Sequence, residues 1–230
     1  MSKLIKAEFY KIFHSRYYWG ICLVYLLMYT SNLFDSIPRT HNILQASVRN
    51  VLFSYFIVFG FAVVFFGNEF EQRTHMTAIA AGKKRKDYFL AKTIVFLFLA
   101  LLMMVVPVWI HILGSIPFLG VTLKTDYIMK CMAVLIPAFI AMGEAAVFSG
   151  LVFRRVPAIL AAGVGINLAL IAAFNSKYAD LFAKVTPVGH SVLIAAGKND
   201  RPALYYAGIS MIWFAVLSVA SYLAFRRADL

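Results

Sequence analysis

Long apolar runs, rather than short alternation, dominate the pattern of hydrophobic and polar positions along this chain. Six stretches are almost free of charge: residues 17–34, 51–67, 93–116, 131–153, 156–174 and 203–225. They are 17 to 24 residues long, and Glu144 is the one charged side chain inside them. A helix rises about 1.5 Å per residue, so such runs cover roughly 25–36 Å, matching a hydrocarbon core of about 30 Å. None alternates as a barrel strand does. Backbone that faces lipid has to satisfy its own polar groups, which leaves helices. The pattern therefore predicts an all-α, polytopic membrane protein with six transmembrane helices in one domain, residues 1–230. The first run is not expected to be a cleaved signal peptide. It starts after a basic stretch, and Asp35, Ile37 and Pro38 come after it instead of a small-residue cleavage site.

The segments between the runs carry their own periodicities. In residues 2–14, Leu4, Ile5, Phe9, Ile12 and Phe13 recur at helical spacing, with Lys3, Lys6, Lys11 and His14 filling much of the rest. This predicts an amphipathic helix in the inner membrane interface, its lysines near anionic headgroups. The same lysines read equally well as a positive topology anchor. Residues 68–92 begin Glu69-Phe70-Glu71-Gln72-Arg73-Thr74 and continue through a mildly apolar stretch (Met76, Ile79, Ala80, Ala81). Gly82 comes next, then Lys83-Lys84-Arg85-Lys86-Asp87-Tyr88. The reading is a short cytoplasmic helix, a glycine stop and a basic turn into the third span. A plain hairpin would not need a connection this long, so a docking helix is favoured over a loop. Lys83–Lys86 alone read as positive-inside residues.

In residues 175–202, Tyr178, Leu181, Phe182 and Val185 recur at helical spacing, as do Val192, Leu193 and Ala196, with Pro187 and Gly189 between the clusters. Two short helices dipping into the outer interface are predicted. Arg154-Arg155-Val156-Pro157 forms a tight turn, with proline tolerated in the first turn of the fifth span.

Composition agrees with the pattern. The chain is 62% hydrophobic and 14% charged, more apolar than a soluble domain of 230 residues could bury. A net charge of +12 would raise nucleic acid as a partner for a soluble protein, but here the placement of charge matters more, and no nucleic acid is expected. Counted by alternate segments, fourteen Lys and Arg fall on one side of the membrane and eight on the other. The richer side, with both termini, is expected to be cytoplasmic in a cell membrane.

Candidate chemistry is sparse. No phosphate-binding loop, H-E-x-x-H or G-x-S-x-G motif is present, and five scattered histidines and two cysteines (Cys22, Cys131) have no ligand or disulfide spacing. No catalytic residue, metal or cofactor of its own is therefore expected. Glu144 lies mid-span. A charged residue at that depth costs about 2.5–3.5 kcal/mol on insertion scales, so it should face the bundle interior or be neutral. It serves either a substrate path or a structural interhelical bond. His111 and Asn167 are weaker candidates for the same path. Ala141, Ala145, Ser149 and Gly150 favour close helix packing.

The layout resembles the permease subunit of an ABC-2-type ABC transporter, over nearly the whole chain. The best local likeness is Phe66-Gly67-Asn68-Glu69-Phe70-Glu71-Gln72-Arg73-Thr74 leading to Lys83-Lys84-Arg85-Lys86-Asp87-Tyr88-Phe89-Leu90-Ala91-Lys92. It looks like the family's acidic residue, threonine-containing helix, basic turn, aromatic and lysine. Arg73 stands where the family usually has glycine. The resemblance implies an N-terminal interface helix (Lys3, Lys6, Phe9, Lys11) and a coupling helix touching an ABC ATPase subunit (Glu69, Glu71, Arg73, Thr74, Met76, Ile79, Lys83). It also implies external re-entrant helices, a second permease copy or paralogue, and ATP and magnesium bound by the ATPase. Small permeases of this type often serve peptide or bacteriocin export, or immunity to such peptides. The competing expectations are a secondary transporter, the membrane subunit of a vitamin importer, an intramembrane enzyme, and a non-transporting peptide-immunity protein.

Overall fold

A computed structural model describes residues 1–40, 42–49, 51–72, 82–119, 125–198 and 200–226, with backbone only for 32–40 and 115–119. Every regular element among them is helical. In chain order these are α1 (Ser2–Phe13), α2 (Arg16–Thr40), α3 (Ile43–Val48), α4 (Val51–Glu71), α5 (Arg85–Leu119), α6 (Thr125–Phe153), α7 (Val156–Phe174), α8 (Ala179–Val185), α9 (Pro187–Ala195) and α10 (Ala203–Arg226). Within the described residues, five helices are long and apolar enough to cross a membrane: Val51–Glu71, Arg85–Gly114, Thr125–Phe153, Val156–Phe174 and Ala203–Arg226. This is the architecture of a multi-pass helical membrane protein. α2 is a 25-residue helix over the first apolar run.

α6 is the hub, packing against α4, α5, α7, α9 and above all α10. Lipid tails are as apolar as leucine, so close packing and interhelical bonds, rather than escape from water, hold such helices together. The sequence supplies small residues where that packing is tightest. A Cβ on Gly150 of α6 would lie 2.8 Å from Phe66, and one on Gly163 of α7 would lie 2.8 Å from Phe59. Phe61 stacks on Phe96 of α5 at 4.9 Å, and Phe65 and Phe66 pack around the same ring. α7 and α10 turn most of their length outward, exposing Leu160, Val164 and Leu168, and Ile212, Val216 and Val219. These are faces for lipid or for another apolar surface.

Three features depart from the sequence reading. Helix α5 begins at Arg85, eight residues before the apolar run, so Arg85 and Lys86 belong to the helix and not to a basic turn. Their aliphatic stems and the Asp87 carboxylate in the first turn suit a helix N-terminus that projects past the apolar layer. Pro187 and Gly189 lie between the two apolar clusters but within the second helix, not in a linker. Pro187 opens α9, and the break falls at Thr186, whose side chain accepts from the Gly189 N–H. Gly189 is required there because a Cβ would come within 2.4 Å of the Ala183 backbone. Finally, α3 is absent from the sequence reading. Asn42 caps it, accepting from the N–H groups of Leu44 and Gln45, and it is buried through Ile43, Leu44, Ala46, Ser47 and Val48.

Candidate functional site

The densest polar constellation sits where α4 ends, beside α1. The last turns of α4 widen into a π-turn over Val63–Gly67 before the helix resumes at Asn68. Such a turn inserts one residue into the helical register and re-aims the side chains beyond it, and it recurs at functional sites. Here it precedes Glu69 and Glu71, which point to different neighbours.

Glu69 is buried at 8% exposure. It bonds to Lys11 of α1, pairs with Lys92 of α5 at 2.5 Å, and accepts from the Tyr88 hydroxyl at 2.8 Å. Lys92 also lies 3.4 Å from Glu8 of α1 and 4.2 Å above the Phe65 ring. The cluster therefore joins α1, α4 and α5 through buried charge. A buried carboxylate is tolerable only when surrounded this way, because each ion costs several kcal/mol to desolvate. Phe9 adds an apolar contact, meeting Phe98 edge-on at 5.5 Å.

Glu71 reaches the other way. It accepts from the Val156 N–H at 2.9 Å, the first turn of α7. Arg155 makes no side-chain cap there and Pro157 has no N–H, so a donor left over at the helix start is satisfied from α4. Gly67 permits this approach, since a Cβ on it would lie 2.9 Å from Val156. Arg154, at φ 54°, closes the turn by donating to Leu151 O of α6 and Ala224 O of α10. The ends of α1, α4, α5, α6, α7 and α10 thus meet at one end of the bundle.

Of the residues expected at the coupling site, Glu69 and Glu71 are brought into this assembly and Lys83 is exposed beside it in the chain, after Gly82 at φ +80°. Arg73, Thr74, Met76 and Ile79 lie outside the described residues. Of the interface-helix set, Phe9 packs against the core, Lys11 is exposed over half its side chain yet bonds Glu69, and Lys3 and Lys6 are exposed. The three residues expected along a pathway are kept apart. His111 of α5 bonds Thr30 of α2 and Ser47 of α3 and stacks on Tyr29. Asn167 of α7 donates to Leu52 O of α4 at 3.0 Å. Glu144 of α6 is fully buried and faces Ser221 and Ser218 of α10. The motif likeness includes Tyr88 and Lys92 as its aromatic and lysine without naming them as Glu69's partners, and Glu8 is not reached at all. The signal for the pairing is the helical spacing of Tyr88 and Lys92, which puts both on the face of α5 that meets Glu69.

The opposite end has only an exposed ion pair, Lys184–Asp200 at 3.9 Å, among the described residues, and its buried contacts are neutral. His190 of α9 is completely buried between the Ser210 hydroxyl of α10 (3.0 Å) and the Lys184 carbonyl (3.2 Å). A carbonyl only accepts, so Nε2 carries the proton and Nδ1 accepts from Ser210. Burial lowers the imidazole below its ordinary value, the Lys184 carbonyl opposing. Trp213 of α10 donates to Val185 O at 2.8 Å. A cavity of about 600 Å³ is lined by Tyr55, Ala141, Ala145, Gly165, Pro187 and Trp213 among others. Among the described residues no cluster of His, Cys, Asp or Glu could hold a metal ion.

Compared with known proteins, the chain matches no family model and no curated sequence.

Proposed function

We propose that this chain is the membrane-spanning permease subunit of an ABC transporter, an exporter of peptides or other amphipathic substrates driven by a separate ATPase. In this reading α2 is a sixth span, both termini and the α1 end are cytoplasmic, and α8 and α9 are short external helices. The observation that carries the proposal is the assembly around Glu69 and Glu71. The last turn of α4, from which the next segment leaves, is tied by ion pairs to α1 and α5 and by a helix cap to α7. A push on that segment from the cytoplasm would be delivered to several spans at once, which is what a chain without its own phosphate-binding loop needs from a motor. The apolar outward faces of α7 and α10 suit a second copy or paralogue as well as lipid. The mostly apolar cavity suits the apolar part of such a cargo.

Purification from native membranes tests this. An ATP-binding subunit should co-purify, and ATP hydrolysis should require both chains. Transport by the purified chain alone would overturn it. A secondary transporter or a vitamin-importer subunit is the second reading, and Glu144 favours it, because an intramembrane acid marks ion paths in such proteins.

A further inference from the structure

Among the described residues, Glu144 has no ion partner. Its side chain is fully buried in the middle of α6, and neither carboxyl oxygen makes a well-formed hydrogen bond. The groups that face it are two hydroxyls of α10, Ser221 and Ser218, and the Ser221 hydroxyl is likewise buried without a partner. Within the described residues, the elements packed on α6 bring no compensating charge. On the α5 side, neighbouring Gly143 meets Leu97 and Ala100. On the α4 side, Gly150 meets Phe66. Lys92 is engaged by Glu69 and Glu8 at the end of the bundle. α7 carries no charged residue. His190 of α9 is bound to Ser210 and the Lys184 carbonyl. Tyr55, on α4, lines the adjacent cavity. The only described charge on α10 is Arg226, in its last turn.

An ionised carboxylate here would be a buried charge with no compensating ion among the described residues. A neutral carboxylic acid fits instead. It offers one O–H donor and spare acceptor capacity to two hydroxyls that each can donate and accept. We infer that Glu144, Ser218 and Ser221 form a proton-binding site inside the bundle, in which the acid's O–H is donated to a serine hydroxyl and fastens α6 to α10. The bound species is a proton, added to one carboxylate oxygen, and no other bond is made or broken. Loss of that proton would place a negative charge on the α6–α10 seam and loosen it. The inference stands whichever transport reading holds.

Infrared spectroscopy of the chain in lipid vesicles at neutral pH reads the site directly. The protein has ten acidic residues, and Glu144 should be the one that gives a protonated-carboxyl C=O band there. The band should vanish in Glu144→Gln and move to higher frequency in Ser218→Ala/Ser221→Ala, which removes the bonding hydroxyls. Identical spectra for wild type and Glu144→Gln would overturn the proposal. So would a band that appears only when sodium and potassium are replaced by a bulky organic cation, because a metal ion would then be the occupant. Should Glu144→Gln fail to fold, the serine double variant decides alone, and an unshifted band overturns the site.

Discussion

At the α1 end, Glu69 lies among Lys11, Lys92 and Tyr88, whereas at the opposite end His190 sits between a serine and a carbonyl with no charge bonded to it. The first arrangement joins helices by ions that are costly to leave unpaired. The second buries only neutral bonds and tight backbone contact among the described residues, its ion pair Lys184–Asp200 being exposed. A structure with charge concentrated at one end can be loaded there: altering one ion re-poises every helix attached to it. The other end responds chiefly to what breaks packing or protonates a buried ring, since its ion pair is exposed. Glu144 lies between these regimes, buried like Glu69 but faced only by hydroxyls.

The largest effect expected from breaking this contrast is at Glu69. Glu69→Leu leaves Lys92 buried with only Glu8 nearby and should cost about 3–5 kcal/mol, read as a loss of thermal stability in detergent. Lys92→Met in the same chain should restore most of it, since replacing both ions by apolar groups is often neutral. Lys11 is half exposed, its side chain at 53%, so Lys11→Met should change little. At the other end, Gly189→Val forces a side chain into the Ala183 backbone and should cost about 1–3 kcal/mol by overpacking. Proteolysis of the 175–202 segment would report it.

His190 sharpens the contrast through pH. Its folded value is depressed, so the unfolded chain takes up a proton below about pH 6.5 that the folded chain resists. The stability it contributes is present above that pH and is lost as pH falls. The acid sensitivity of the α8–α9 end should therefore weaken in His190→Gln, measured by hydrogen exchange across about pH 5–7. The smallest effect is at Glu71, where Glu71→Ala removes one cap from α7 and should cost about 0.5–1 kcal/mol, read as a small drop in thermal stability.

Much of the fold is legible in the sequence because apolar runs of spanning length have few alternatives in lipid. Val156–Phe174 coincides with its predicted run, and Ala203–Arg226 departs by one residue. Helix ends are less legible. Arg85 and Lys86 are charged, and hydropathy stops where charge begins although the hydrogen-bonded helix continues. α3 is hidden because six residues carry too little periodicity, although Asn42 marks its start. At the site, motif likeness points to Glu69 and Glu71. Residues two apart on a helix already point to different faces; which neighbours those faces meet is not legible, because the π-turn that re-aims both leaves no mark in the sequence.

Drive entering at the α1 end, through the segment that leaves α4, is the central claim. A photo-cross-linking residue at Gln72 or Lys83, both exposed, in native membranes tests it most directly. The expected adduct is an ATP-binding subunit, formed from the cytoplasmic side. Labelling of these positions by a membrane-impermeant reagent from outside the cell, with no such adduct, would contradict it.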